Sequence, residues 1–361
     1  MTRRASRQIH VGAVAVGGDA PVSVQTMTKT DTRDVAATVA QIREVEALGC
    51  DIVRLAVPDA AAAGAIAQIR RAVRTPIVAD IHFDHRLALA ALAAGADGLR
   101  INPGNIGGRR NIEEVVRAAR ARGAPIRIGV NGGSLEKDLL EEHGGPTAAA
   151  LVASALRHVR LLEDLDYREI KISVKASDPL RTVDAYRRLA RQCDYPLHLG
   201  VTEAGTLLAG TVRSAVALGL LLAEGIGDTV RVSLTDTPAR EVRVGLELLR
   251  SLGRRAPGAA VIACPTCGRA EVDVIALAQA AEARLEQFYR EQPAAPRPVV
   301  AVMGCVVNGP GEAREADIAL AGGREKFALY VGGEHRATVA EAQALDALVA
   351  AVRRWPPPAQ K

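Results

Sequence analysis

The chain has 361 residues, of which 48% are hydrophobic but only 2% aromatic, and its formal net charge is +5. This length predicts two domains, or one large domain with a smaller one, and the apolar content can bury a sizeable core. Few aromatic side chains argue against binding of single-stranded nucleic acid, which needs rings for base stacking. Because the apolar residues are mainly Ala, Val, Leu and Ile, the composition favours an α/β protein with parallel strands.

The cysteines and the N-terminal segment predict the compartment. Five cysteines without a regular framework argue against a secreted disulfide scaffold. Cys50 and Cys193 stand in apolar or loop contexts, and we expect both to be structural. The N-terminal segment is basic, but its short apolar run is interrupted by glycines, so we expect no signal peptide. The sequence contains no run of about 18 apolar residues, so we expect no membrane-spanning helix. We therefore expect a reducing compartment, the cytoplasm.

Eight short β-branched runs recur along the first part of the chain, separated by Ala/Leu/Arg-rich segments with helical spacing. They occupy residues 22–27, 51–57, 76–82, 98–104, 126–131, 170–175, 197–202 and 229–234. Eight βα units in about 230 residues are typical of a (β/α)8 TIM barrel. A doubly wound sheet usually has a Gly-rich phosphate loop after its first strand, but TMTKTDT follows here. We predict an α/β TIM barrel, with IHVGAVAVGG as a candidate hairpin across its floor.

The pattern changes after about residue 250, where LGRRAPGAA has the composition of a linker. We therefore predict two domains, residues 1–250 for the barrel and 258–361 for a smaller α+β domain. The elements expected in the second domain are a long helix over VDVIALAQAAEARLEQFY, an apolar strand VVAVMG, the segment FALYVGG and a final helix from Thr338.

Polar side chains lie along or just after the predicted parallel strands, which otherwise consist of apolar residues. They are Arg54, Asp80, His82, Arg100, Asn102, Arg127, Asn131, Lys171, Ser173, Lys175, His198, Thr202, Glu203, Arg231 and Ser233. In TIM barrels, catalytic groups lie at the C-terminal ends of the strands. Any one of these residues could instead be an ordinary barrel residue that pairs with a neighbour.

The charge of this set predicts an anionic ligand. Six of its members are Arg or Lys, and two, Asp80 and Glu203, are carboxylates. Burying unpaired cations costs several kcal/mol each, and a bound anion would offset that cost. Because guanidinium groups match phosphate oxygens bidentately, the expected ligand is a phosphate or a diphosphate.

Three cysteines of the second domain, Cys264, Cys267 and Cys305, predict a metal or redox centre. A Cys-x-x-Cys pair fits a thiol–disulfide couple, although the βαβ context of thioredoxin is missing. A structural zinc site needs four Cys or His ligands, and the domain offers only His335 besides these cysteines. The third interpretation is an iron–sulfur cluster, with Glu312 after the Asn-Gly-Pro-Gly turn as the candidate fourth ligand.

Long motifs spread over nearly the whole chain resemble those of one family. They are DIHFDHRLAL, LRINPGNIG, RIGVNGGSLEKDLL, ISVKASDP, LHLGVTEAG, LLAEGIGDTVRVSL, ACPTCGR and GCVVNGPGEA. On these motifs the chain resembles the bacterial 4-hydroxy-3-methylbut-2-enyl diphosphate synthases of the methylerythritol phosphate route to isoprenoids, in the short form without the large insertion.

The resemblance implies a fold, a cofactor and a reaction. The fold is a TIM barrel similar to that of dihydropteroate synthase, followed by a domain like those of sulfite reductases. The cofactor is a [4Fe-4S] cluster, with Cys264, Cys267, Cys305 and Glu312 as ligands. The reaction is the two-electron reductive ring opening and dehydration of 2-C-methyl-D-erythritol 2,4-cyclodiphosphate to 4-hydroxy-3-methylbut-2-enyl diphosphate. Flavodoxin or ferredoxin would supply the electrons. In a head-to-tail homodimer, the cluster domain of one subunit would cap the barrel of the other.

With this resemblance, the strand residues receive expected roles. Those expected to bind the substrate are Arg54, Arg100, Arg127, Asn131, Lys175, Thr202, Arg231 and Ser233. Asp80, His82 and Glu203 are candidates for proton transfer, and the sequence does not rank them. Glu312 belongs with the catalytic residues as well, since a carboxylate on iron can give way to substrate.

Two other classes of function remain open at this stage. A non-redox barrel enzyme for a phosphate-ester or pterin ligand, with a structural zinc module, would be colourless and hold stoichiometric zinc. A nucleic-acid-binding protein is disfavoured, because the basic residues are spread over strand ends and are not clustered in one run.

Overall fold

A computed structural model of the chain describes residues 2–255, 261–292, 294–305, 311 and 316–356. The chain divides into two compact units, Met1–Arg255 and Ala256–Lys361. The predicted cluster ligand Glu312 and residues 308–310 of the turn before it lie outside the described residues. A helix with the length and apolar character needed to cross a membrane is absent from the described ranges.

An antiparallel hairpin opens the first unit, and eight parallel strands follow at the positions predicted from the sequence. The hairpin consists of β1 (Ile9–Val11) and β2 (Val14–Val16). The parallel strands are β3 (Ser23–Met27), β4 (Ile52–Ala56), β5 (Ile77–Asp80), β6 (Gly98–Ile101), β7 (Ile126–Asn131), β8 (Ile170–Lys175), β9 (His198–Leu199) and β10 (Thr229–Val230).

Helices follow the strands and surround them. They are α1 (Val35–Ala47), α2 (Ala60–Ala72), α3 (His85–Ala93), α4 (Arg109–Arg122), α5 (Lys137–Glu142), α6 (Ala148–Glu163), α7 (Pro179–Ala190), α8 (Leu207–Ala223) and α9 (Pro238–Ser251), with short 3-10 turns at Pro103–Asn105 and Gly132–Ser134. Short polar side chains cap several of them, as Asp34 does for α1 and Thr237 for α9, by accepting a backbone N–H of the first turn.

The eight parallel strands form a nearly closed barrel. Their order in the sheet is β8-β7-β6-β5-β4-β3-β10-β9. A parallel bridge between Ile172 and Leu197 links β8 to the start of β9 and joins the two ends of this sheet. The outward side chains of the strands, such as Ile77 and Ala79, pack with the inward faces of the helices in one large core. The predicted (β/α)8 fold is confirmed.

The N-terminal hairpin packs against the floor of this barrel, as the sequence suggested. Ile9, Val11 and Val16 form a small apolar cluster with Ile52 at the start of β4 and Val78 of β5. All five side chains are buried. The hairpin therefore covers the N-terminal end of the barrel with apolar contacts.

In its described residues, the second unit contains a mixed five-stranded sheet and two helices. Its strands are β11 (Val261–Ala263), β12 (Val300–Met303), β13 (Ile318–Gly323), β14 (Lys326–Val331) and β15 (Glu334–Ala340), and its helices are α10 (Val274–Glu291) and α11 (Glu341–Arg353). The strands pair in chain order, with β11, β12 and β13 parallel and β13, β14 and β15 antiparallel. Leu285 of α10, Phe327 of β14 and Leu348 of α11 are fully buried in its core.

The predicted start of the last helix at Thr338 is wrong. Thr338 pairs with Ala328 in the ladder between β14 and β15, and the helix begins only at Glu341. The β-branched pair Thr338 and Val339 continues an antiparallel strand here, since the strand is bonded to a neighbour that the local pattern did not reveal.

Candidate active site

Charged residues from four neighbouring strands meet inside the barrel. Asp80, Arg100, Arg127 and Lys171 are successive register partners across β5, β6, β7 and β8. All four are buried. Because side chains alternate along a strand, these residues face the interior while their neighbours face the helices. The structure thus gathers side chains that the sequence could place only on separate strands.

Asp80 lies at the centre of this cluster. Its Oδ1 is 3.2 Å from Arg100 Nη1 and 3.5 Å from His82 Nε2. Its Oδ2 is 3.7 Å from Arg54 Nε. Burial alone would raise the pKa of Asp80, but the charges of Arg54 and Arg100 outweigh it and hold the pKa below its usual range. Asp80 is therefore an anion that organises the cations around it, and it is a poor proton donor at neutral pH.

His82 and Arg54 complete the surroundings of Asp80. The His82 side chain is 52% exposed, and its Nε2 lies 2.7 Å from Arg100 Nη1. Since a guanidinium can only donate, Nε2 accepts in this contact. The Arg54 guanidinium donates to Met27 Sδ from Nε at 3.2 Å and from Nη2 at 2.9 Å. Burial lowers the pKa of Arg54 to about 10.

The cations deeper in the barrel have few protein partners. Arg127 Nη1 donates to Ser173 Oγ, whereas its Nε and Nη2 are buried without a hydrogen-bond partner among the described residues. The same holds for Lys171 Nζ. Burial, together with Arg127, lowers the pKa of Lys171 to about 7 and that of Lys175 well below its usual value. A bound anion in this interior would offset the free-energy cost of burying these cations, which the described protein groups do not offset.

His198 is buried in the same interior. Both of its ring nitrogens lack a hydrogen-bond partner in the described part of the chain. Burial, followed by the charge of Lys175, lowers the pKa of His198 well below its usual value. His198 is therefore neutral, and its imidazole adds no charge to the cluster.

Two glycines leave room for the cationic side chains. A Cβ at Gly129 would stand 2.5 Å from Arg100 Nε, and a Cβ at Gly200 would stand 2.5 Å from Lys175 Nζ. Any side chain at either position would displace a member of the cluster. These glycines lie in the predicted strand segments RIGVN and LHLGVT, where their role is visible only in the structure.

Four further predicted residues lie at the C-terminal ends of strands without joining the ion pairs. Asn131, Thr202 and Ser233 are half-buried, and Glu203 is exposed with a left-handed φ of +53°. Their side chains make no hydrogen bond or ion pair to the charged cluster within the described ranges. The buried Asn102 instead accepts a hydrogen bond from Gly104 N at 3.2 Å and so caps a 3-10 turn.

A second carboxylate, Glu241, lies at this end of the barrel and was not predicted from the sequence. Glu241 Oε2 lies 3.7 Å from Arg231 Nη2, and Glu241 Oε1 lies 3.3 Å from Lys29 Nζ. Thr26 Oγ1 also donates to Glu241, at 2.8 Å. Lys29 follows the first barrel strand, where polar side chains are expected, but Glu241 lies in the first turn of α9 and gave no signal.

In the second unit, two of the predicted ligand cysteines lie at one edge of the sheet. Cys264 directly follows β11, and Cys305 follows β12 after Gly304. These strands are parallel neighbours, and Cys264 N donates to Val302 O at 3.1 Å. Both cysteines are half-buried. A Cβ at Gly304 would lie 3.5 Å from Cys264 Sγ and 2.3 Å from Val274, so glycine keeps this edge open.

The third predicted ligand cysteine, Cys267, does not form a metal-binding group with other described side chains. Cys267 is exposed and follows Thr266, whose φ of +57° turns the chain sharply. Among the residues that the structure describes, no three His, Cys, Asp or Glu side chains are grouped so as to hold a metal ion. Cys50, by contrast, is buried in the barrel core, where burial raises its pKa to about 12. Burial also raises the pKa of Cys193.

The parallel barrel, together with a separate cysteine-bearing unit, defines the class as a TIM-barrel protein with a thiol-bearing second module. The model of the GcpE TIM-barrel domain matches residues 6–246, and that of the GcpE protein C-terminal domain matches residues 260–354. The chain therefore belongs to the GcpE family. The resemblance found from the sequence motifs is confirmed.

Several curated proteins similar to this chain have the name 4-hydroxy-3-methylbut-2-en-1-yl diphosphate synthase (flavodoxin). The protein of Geobacter sulfurreducens is 58% identical over 349 residues, which cover 97% of each chain. That of Acidithiobacillus ferrooxidans is 57% identical over 351 residues, which cover 97% of this chain and 94% of its own. That of Lawsonia intracellularis is 57% identical over 332 residues, which cover 92% and 91%.

Proposed function

We propose that this chain catalyses the two-electron reductive ring opening and dehydration of 2-C-methyl-D-erythritol 2,4-cyclodiphosphate to 4-hydroxy-3-methylbut-2-enyl diphosphate. The observation that supports it most is the buried cation cluster around Asp80 inside a GcpE-family barrel. The enzyme class predicted from the sequence, an oxidoreductase of isoprenoid precursor synthesis, is confirmed by the family and by the names of its relatives. A non-redox barrel enzyme with a zinc module is not favoured.

The barrel residues bind and orient the cyclic diphosphate. The cations assigned to this role are Arg54, Arg100, Arg127, Lys175 and Arg231, with Asn131, Thr202 and Ser233 as hydrogen-bonding groups. Asp80 holds Arg54 and Arg100 in place before the ligand arrives, so little reorganisation is needed on binding. As the ring opens, the diphosphate leaves carbon and gains charge. The fixed cations therefore stabilise this step more than the ground state.

The proton for the departing oxygen comes from a residue at the barrel mouth. The ionised Asp80 is a poor donor, which leaves His82 and Glu203 as the candidates. His82 Nε2 accepts from Arg100, so the proton that His82 can donate is held at Nδ1. Glu203 is exposed on the loop after β9, and its left-handed backbone places it at a sharp turn. Either group can reach solvent to be reprotonated.

The residues present fit a [4Fe-4S] cluster on the second unit. Cys264 and Cys305 follow adjacent parallel strands, and Gly304 keeps the edge between them clear. Thiolates are the ligands that iron–sulfur clusters use. We assign Cys264, Cys267, Cys305 and Glu312 as the residues that would hold the cluster. When bound, the cluster would pass on the two electrons from the external donor and would present a Lewis-acidic iron for removal of the hydroxyl oxygen.

The partners follow from the same assignment. Flavodoxin or ferredoxin delivers the electrons, and the chain acts in the cytoplasm as a head-to-tail homodimer, without membrane or nucleic acid. The homodimer follows from the family resemblance, in which the cluster domain of one subunit caps the barrel of the other.

Anaerobic purification with iron, sulfide and zinc analysis tests the cofactor, with Cys305→Ser as the variant and Cys193→Ser as its matched control. Both cysteines are half-buried, but only Cys305 lies at the sheet edge. We expect about four iron and four sulfide per chain in the wild type and in Cys193→Ser. Cys305→Ser should lose most of both and of the reductase activity. Stoichiometric zinc without sulfide in the wild type would refute the redox assignment.

A further inference from the structure

Glu241 is a buried carboxylate at the C-terminal end of the barrel that none of the roles above includes. It lies in the first turn of α9 and is 2% exposed. Oε1 accepts a hydrogen bond from Leu234 N at 2.9 Å, and Oε2 accepts one from Thr26 Oγ1 at 2.8 Å. Two neutral donors thus fix the carboxylate in place, independently of any cation.

Two cations are held by this fixed carboxylate. Lys29 Nζ lies 3.3 Å from Oε1 and also donates to the carbonyl oxygens of Leu234, at 2.7 Å, and of Asp236. Arg231 Nη2 lies 3.7 Å from Oε2, while Arg231 Nε has no hydrogen-bond partner in the described chain. Lys29 therefore joins the loop after β3 to the loop after β10, and Arg231 is held from one side only.

We infer that Glu241 is a positioning residue of the diphosphate site, which sets the orientation of Arg231 and of the Lys29 loop before the substrate binds. This inference rests on the proposed function, because it needs an anionic substrate at the barrel mouth. A carboxylate beside such a site repels the anion, so its own charge opposes binding. Glu241 promotes binding only if the order it imposes on Arg231 outweighs that repulsion.

The two possible roles of Glu241 therefore predict changes in diphosphate affinity of opposite sign when its charge is removed. If Glu241 only neutralises charge in the fold, removing its charge makes the mouth more positive, and the diphosphate binds more tightly. If Glu241 positions Arg231, removing its charge frees the guanidinium, and the diphosphate binds more weakly. The direction of the change in affinity therefore separates the roles, which a loss of stability alone would not.

Asp228 provides a matched control at the opposite end of the barrel. It is also 2% exposed. Like Glu241, it accepts one hydrogen bond from a hydroxyl group, Ser6 Oγ at 2.9 Å, and one from a backbone N–H, that of Leu197 at 2.7 Å. It also faces two cations, with Arg3 Nη2 at 2.7 Å and Arg4 Nη1 at 4.0 Å. Asp228 thus repeats the chemistry of Glu241 at the floor, away from the mouth.

The experiment compares Glu241→Gln with Asp228→Asn in the full-length protein. The amide of Glu241→Gln keeps the size of the side chain, can still accept from Leu234 N, and can donate to Thr26 Oγ1. Titration calorimetry with the cyclic diphosphate should show a dissociation constant raised by roughly tenfold in Glu241→Gln and unchanged in Asp228→Asn. In the reductase assay, Glu241→Gln should raise KM more than it lowers kcat. Both variants should melt at a lower temperature.

Equal or tighter binding by Glu241→Gln would overturn the inference, as would equal weakening in both variants. If Glu241→Gln does not fold, Glu241→Asp replaces it, because the shorter carboxylate keeps the charge but retreats from Arg231. Weaker binding by that variant supports positioning, and wild-type affinity overturns it. A wild-type protein that does not bind the cyclic diphosphate would overturn the proposed function and this inference together, which differs visibly from a failure confined to the variant.

Discussion

The two ends of the barrel use the same charged residue types in opposite ways. At the floor, Asp228 faces Arg3 and Arg4. Arg4 donates further to the carbonyl oxygens of Ala190, at 3.2 Å, and of Tyr195, at 3.1 Å. In the interior, neither Arg127 nor Lys175 forms an ion pair with a carboxylate of the described residues, and burial lowers the pKa of each.

This contrast separates stability from function within one fold. The floor pairs its arginines with carbonyl and carboxylate oxygens, which is the arrangement expected where only stability matters. In the interior, Arg127, Lys171 and Lys175 form no ion pair with a described carboxylate, which lowers stability but leaves their N–H groups for a ligand. Proteins commonly give up stability at a site in this way. Removal of a cation should therefore change the free energy of unfolding with opposite signs at the two ends.

Arg127→Met should produce the largest effect. Met fills a similar volume without the charge that Arg54 and Arg100 repel, so we expect unfolding free energy to rise by about 1 kcal/mol or more. Affinity for the cyclic diphosphate should fall by about a hundredfold, because a buried charge partner of the ligand is lost. Urea unfolding and titration calorimetry measure the two quantities on the same preparation.

Arg4→Met is the matched change at the floor and should reverse the pattern. It removes the hydrogen bonds to Ala190 O and Tyr195 O and leaves Asp228 with one cation fewer. We expect a loss of about 3 kcal/mol in unfolding free energy and no change in affinity. If both variants lost stability equally, the interior cations would be structural, and the contrast between the two ends would be wrong.

How far the sequence could predict this contrast depends on the element that carries each residue. Arg54 and Arg100 stand out as charges inside apolar strand runs, and a parallel strand has few reasons to carry them. Glu241 does not stand out, since an acidic residue in the first turn of a helix is common and is usually exposed. Its burial depends on loops after β3 and β10 that meet only in the folded barrel.

The same distinction explains the floor and the second unit. Asp228 precedes a strand of only two residues, and its partners Arg3 and Arg4 are contributed by the N-terminal segment, a long-range contact that no local pattern encodes. The helix predicted from Thr338 starts too early because the local pattern does not reveal the strand partner of Thr338, Ala328, which belongs to a separate segment of the chain. Local periodicity predicts elements well, whereas it does not reveal which buried charges find partners.

Lys171 should make the free energy of unfolding depend on pH, and we expect this effect to be of intermediate size. Its pKa in the folded protein is about 7, lowered from 10.5 by burial and then by Arg127. Between these values the unfolded chain holds a proton that the folded chain has released, so the free energy of unfolding rises with pH in this window. Between about pH 7 and pH 9, Lys171→Met should therefore gain less stability than the wild type in urea unfolding.

Lys137→Met is the control for this pH series, since Lys137 is exposed on α5. Its stability should rise with pH as steeply as that of the wild type. Other groups that titrate in the window, Arg54 among them, are common to all three proteins and cancel in the comparison. Parallel curves for the wild type and Lys171→Met would mean that Lys171 keeps its proton when buried, and the interior would then be better compensated than its contacts indicate.

Asp194→Asn should have the smallest effect, and it separates burial from position. Asp194 pairs with Arg7 at 2.8 Å near the floor, but the two side chains are 56% and 44% exposed. Water screens such a pair, so the change should cost less than about 1 kcal/mol of unfolding free energy, with unchanged ligand affinity. Asp228→Asn, with its buried partners, should cost several times more in the same urea titration. Equal losses would mean that nearness to the floor, and not burial, determines the cost. The expected inequality would leave burial as the cause of the stability effect and position along the barrel as the cause of the effect on binding.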